Sequence, residues 1–124
     1  MPTTKEHIEK ARHNEQFFSF LDINTTPFLD WVVNGIFYAA LHYIDSYLAT
    51  NGENPGEHRE RMRLIQGDPN LGQLIFFHYR SLKDDSEEGR YNMKVFLPDE
   101  IRNDILPPLN SIKTHLKQFI PEIL

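Results

Sequence analysis

Apolar and polar positions along the chain recur with helical spacing, and no long segment alternates them as a strand would. Thr3 and Glu6 have the spacing of a capping box. The helix they open turns Ile8, Ala11, Phe17 or Phe18, and Leu21 toward a core and is expected to end before "NTTP". Thr26-Pro27 reads as a cap followed by a proline at the first helical position. The helix predicted there runs to Asn51-Gly52, about 24 residues or roughly 36 Å at 1.5 Å per residue. It is apolar over most of its circumference, as a central buried helix is. Gly35, Ala39 and Ala40 leave room for a neighbour to approach it.

"NGENPGE" is a loop, and "EHRERMRLIQG" is a short basic helix closed by Gly67. Asp68-Pro69 is expected to cap the next helix, with Leu71, Leu74, Ile75, His78 and Leu82 on one face and a bend or fraying at "KDDSEEG". A last helical run from Pro98 carries Ile101, Ile105, Leu109, Ile112, Leu116 and Phe119 at helical spacing. Pro107-Pro108 removes two backbone donors inside it, so a kink or break is expected near Leu106. The expectation is all-α: one domain over residues 1–124, an up-and-down bundle of four long helices plus one short helix.

The long apolar helix "DWVVNGIFYAALHYIDSYLA" carries Asp30, Asn34, Tyr38, His42 and Asp45 on one stripe, because residues four apart stack on one side. Two readings compete. The stripe is a reactive site, with His42 oriented by Asp45 for proton transfer near neutral pH. Or it is a seam, or an edge facing a partner, in which every polar group has a hydrogen bond and nothing reacts.

The formal net charge of −5 disfavours phosphate backbones over the molecule as a whole, so any nucleic-acid contact needs a local basic patch. "HRERMR" offers one, with Arg59 and Arg63 on a shared face as a phosphate grip. Its plainer alternative is a solvated helix paired to Glu57 and Glu60. Tyr79, Arg80, Arg90 and Tyr91 add tyrosines that stack on bases and arginines that reach phosphates. Alternatively they are core and surface ion pairs.

There is no cysteine, which excludes disulfides, thiolate metal sites and a Cys nucleophile. None of the six histidines forms H-E-x-x-H or a close ligand pair, so neither a metal site nor a cofactor is expected. G-x-S-x-G and P-loop patterns are absent as well. A polar N-terminus and an interrupted apolar run lead to the expectation of a cytoplasmic protein with no membrane span.

The order of these features resembles the HEPN superfamily of small helical bundles in prokaryotic defence, toxin–antitoxin and RNA-processing systems. An aromatic- and alanine-rich helix (Phe37 to His42) precedes an H-x-x-[LR] element (His58 to Arg61), a Tyr-x-x-Leu pattern (Tyr79 to Leu82) and an "RY" pair (Arg90-Tyr91), over about residues 5–95. The resemblance implies a bundle that commonly forms homodimers, binds RNA, a nucleotide or a cognate protein partner, and in many members acts as a metal-independent ribonuclease through R-x(4–6)-H. No arginine here is followed by a histidine at that distance; after Arg102 the position falls on Pro107. The implied function is therefore a non-catalytic or diverged module. The catalytic alternative is a ribonuclease with a rearranged composite site, for which His42, His58 and Arg90 are the candidates. A purely structural interaction bundle is the third reading.

Overall fold

The computed structural model describes residues 1–123, and among them the chain is all-helical with no strand. Four long helical rods and one short helix form a bundle: α1 (Thr4–Ser19), α2 (Leu29–Thr50), the short α3 (His58–Gly67), α4 (Gly72–Tyr91), and a last rod made of α5 (Pro98–Glu100), a π-helical turn (Ile101–Ile105) and α6 (Leu106–Leu116).

The capping box forms as expected: Glu6 N–H donates to Thr3 Oγ1 (3.1 Å), and Thr3 N–H donates to Glu6 Oε1 (3.0 Å). α2 starts two residues later than the sequence pattern predicts. Thr26 does not cap it; its hydroxyl instead accepts from Phe28 N–H within the preceding turn (3.2 Å). α2 is the central element, packed against α1, α4 and α6, and Val32, Val33, Ile36, Phe37, Ala39, Ala40, Tyr43, Ile44 and Leu48 are sealed in the core. Gly35 lets α1 close in, since a Cβ there would stand 3.2 Å from Phe18 and 3.3 Å from Phe17.

The face of α4 differs from the expected one. Leu71, Ile75, Tyr79 and Leu82 are buried together with Phe76 and Ser86, while Leu74 is exposed and His78 only partly covered. The helix runs unbroken through "KDDSEEG", where Ser86 is buried and hydrogen-bonded against α2. α4 ends where Met93 takes a left-handed φ of 58°, which turns the chain back. Lys94 then reaches Glu100 at 2.8 Å, and the Phe96 ring stands 2.8 Å from where a Cβ on Gly89 would be.

The expected break near Leu106 is instead a π-helical turn over Ile101–Ile105. Pro107 and Pro108 sit in the first turn of α6, where their missing N–H groups cost least. The wider turn absorbs the prolines and keeps Ile101, Ile105, Leu109, Ile112 and Leu116 in the core, while Phe119 stays 40% exposed.

Candidate functional site

Four of the five stripe positions on α2, Asn34, Tyr38, His42 and Asp45, form a seam of paired groups facing α1, α3 and α4. At its N-terminal half, buried Asn34 accepts a hydrogen bond from Ser86 of α4 (2.7 Å). One turn on, Tyr38 accepts from Arg90 Nη1 (2.9 Å). At its C-terminal half, Asp45 meets Arg61 of α3 in a two-pronged pair, with Nε to Oδ1 at 2.7 Å and Nη2 to Oδ2 at 2.9 Å. Both side chains are almost fully buried. Burial opposes the charge on Arg61, but the hydrogen bonds and charge of Asp45 outweigh it, and its pKa is raised.

This corrects the expected partner of His42. Asp45 is committed to Arg61, and His42 Nδ1 instead faces His7 Nδ1 of α1 at 3.2 Å, with the rings stacked. Burial and the neighbouring His7 push the His42 pKa down to about 4, so His42 is neutral at neutral pH and shares a hydrogen bond with His7.

Arg61 carries the network into a second cluster. Its Nη1 reaches the Tyr79 hydroxyl at 3.4 Å, and that hydroxyl lies 2.6 Å from His58 Nδ1. Arginine only donates, so the Tyr79 proton has one acceptor among its described partners, His58 Nδ1. That accounting assigns the tautomer of His58: Nδ1 accepts from tyrosine, and Nε2 carries the hydrogen. Burial, then the charges of Arg61 and Lys83, hold the His58 pKa below its ordinary value. Partly exposed, His58 thus offers an N–H donor and no lone pair.

Arg90 is among the charges that bear on His58. Its guanidinium lies 5.9 Å from the Tyr38 ring and 5.1 Å from the ring of exposed Tyr91, with Nε also donating to Ser86 O (3.4 Å). Among the described residues, Nη2 of Arg90 makes no hydrogen bond. Glu87 is the carboxylate nearest in effect to His58, and Lys83 pairs with it at 2.8 Å.

The expected site residues therefore divide. The Arg90 charge bears on His58, and its guanidinium lies 5.1 Å from the Tyr91 ring, so these three are neighbours. His42 faces His7 of α1 and makes no hydrogen bond to this group. Tyr79 is fully buried and cannot stack on a base; it orients His58 instead. Arg59, Arg63 and Arg80 are exposed, and Arg80 lies 3.9 Å from Asp84. His7, Arg61 and Ser86 were not foreseen as partners, because each meets α2 from a separate helix. The one sequence signal was the H-x-x-R spacing, which aims His58 and Arg61 at the same tyrosine.

Comparison with family models, with curated proteins and with solved structures returned no match.

Proposed function

We propose that the chain is a non-catalytic HEPN-like module that binds the phosphates of RNA or of a nucleotide through His58 and Arg90. The observation that carries this is the 2.6 Å contact between the Tyr79 hydroxyl and His58 Nδ1, from which the tautomer of His58 is assigned. Tyr79 holds Nδ1, so the other nitrogen donates, and Arg90, whose charge bears on His58, keeps Nη2 without a hydrogen bond among the described residues. Two donors suit a phosphate oxygen. A ribonuclease needs a base with a lone pair to take the 2′-hydroxyl proton, and His58 has none to give. Exposed Tyr91, under the Arg90 guanidinium, adds a stacking surface.

A dimer belongs to this reading on a separate observation. Phe17, Phe20, Phe28, Trp31, Met93, Val95 and Leu97, each 46–89% exposed, gather at the end of the bundle where α1 passes to α2 and α4 turns toward α5. They present on the order of 700 Å² of apolar surface, close to the roughly 800 Å² each partner gives a standard interface. Light scattering during size-exclusion chromatography is expected to show a dimer that Phe20→Glu with Trp31→Glu converts to a monomer.

Titration of labelled single-stranded RNA and of nucleotides into the protein in EDTA tests the phosphate site. Affinity is expected to fall with salt at a log–log slope of about −0.7 per phosphate contacted. Arg90→Ala is expected to weaken binding about tenfold or more. RNA that stays intact over long incubation supports the binding module, whereas cleavage lost in His58→Ala overturns it in favour of the enzyme.

A further inference from the structure

His7, His42 and Asp45 form the one group of three metal-ligating side chains found together among the described residues. One nitrogen of each histidine and one oxygen of Asp45 lie within 4.8 Å of one another. The two Nδ1 atoms are 3.2 Å apart, which is the edge of a tetrahedron around an ion bound at about 2.0–2.1 Å to each nitrogen. An ion on that edge would subtend an angle of about 100° at the two histidines, close to the tetrahedral value. His7 is 94% buried by its 6% exposure, and its Nε2 has no hydrogen-bond partner. The ring is therefore held in place from one side only, by whatever its Nδ1 meets.

We propose that His7, His42 and Asp45 bind one divalent first-row transition-metal ion of the zinc class. His7 and His42 supply Nδ1, and Asp45 supplies one carboxylate oxygen. Partly exposed His42 marks the entry side and the side on which a fourth, water-filled position opens. Each Asp45 oxygen accepts one Arg61 N–H and keeps a second lone pair, so the ion and the guanidinium share the carboxylate. Bringing that oxygen from within 4.8 Å to a tetrahedral edge asks for a shift of up to about 1.5 Å. Arg61 and Lys10 are cations beside the cluster, and they make this a weaker, exchangeable site rather than a closed structural one. The ion would tie α1 to α2 and stabilise the fold by an amount that grows with the logarithm of its concentration above Kd. It would not touch His58 or Arg90, so loss of this site leaves the phosphate reading standing and the reverse also holds.

Cobalt(II) is the probe, because a tetrahedral site of nitrogen and oxygen ligands gives it intense visible ligand-field bands that the hydrated octahedral ion lacks. Titration of the metal-stripped protein at pH 7.5 is expected to build these bands to one equivalent, and Zn2+ is expected to bleach them. His7→Gln or His42→Gln is expected to abolish them, and Asp45→Asn to weaken binding about 10–100-fold. Nitrogen-15 spectra of the unmutated protein remove the question of folding: Zn2+ must shift the Nδ1 resonances of His7 and His42 and leave those of His58 unmoved. Absence of the cobalt bands, their persistence in both histidine variants, or a Zn2+ shift confined to other histidines overturns the site.

Discussion

Asp45→Ala removes half of the most deeply buried charge pair in the bundle. Arg61 and Asp45 side chains are only 7% and 5% exposed, and two hydrogen bonds of 2.7 and 2.9 Å join them. Without Asp45, the guanidinium keeps contacts of 3.4 Å to the Tyr79 hydroxyl and to Pro55 O, both near the limit of a hydrogen bond. Unit charges at about 4 Å in an effective dielectric of 20 attract by about 4 kcal/mol. Breaking one side of a buried pair leaves the other uncompensated and costs about 3–5 kcal/mol. For a chain of this size that is a drop of about 10–20 °C in Tm. Urea denaturation followed by circular dichroism, run in EDTA so that no metal contributes, measures it for Asp45→Ala, Asp45→Leu, Arg61→Met and the double variant Asp45→Leu/Arg61→Met. The double variant is expected to be more stable than Asp45→Ala, because an apolar pair leaves no bare charge. A cost for Asp45→Ala below about 1 kcal/mol refutes the buried pair as an energetic element. A double variant as unstable as the sum of its singles refutes their coupling.

Two further outcomes follow from the same seam. Ser86→Ala leaves Asn34 Oδ1 without its donor in a buried position and is expected to cost about 1–3 kcal/mol by urea denaturation, whereas loss of a solvated hydroxyl would cost almost nothing. His42 has its pKa lowered from 6.5 to about 4, so the unfolded chain binds its proton more readily than the native one does. Its contribution to stability is therefore complete above pH 6.5 and is lost as pH falls through about 4, and comparing the pH–stability curves of the parent and His42→Gln isolates that loss. Superimposable curves between those limits would show that His42 is not neutral in the fold.

Periodicity alone was enough to determine that this chain is helical and which rod lies at its centre. A helix apolar all round has to be buried, and α2 is. The stripe of Asn34, Tyr38, His42 and Asp45 was legible for the same reason: one helix places its own residues on one side by geometry alone. Local chemistry also named the capping box and drew attention to the double proline, although the last rod answers the prolines with a π-helical turn over Ile101–Ile105 rather than a break.

The partners of the stripe were beyond periodicity. His7 reaches His42 from α1, Arg61 reaches Asp45 from α3, and Ser86 and Arg90 reach Asn34 and Tyr38 from α4. Which helix faces which depends on packing between segments tens of residues apart, and no local spacing records it. The same holds for α4, where burial of Ser86 rather than of Leu74 and His78 was decided by the polar group waiting on α2. The sequence alone determined that α2 carries a row of groups needing partners. Tertiary structure decided that Asp45 takes an arginine, that His42 takes a histidine, and that His58 turns a donor outward, since a buried polar group is defined by the atom across from it.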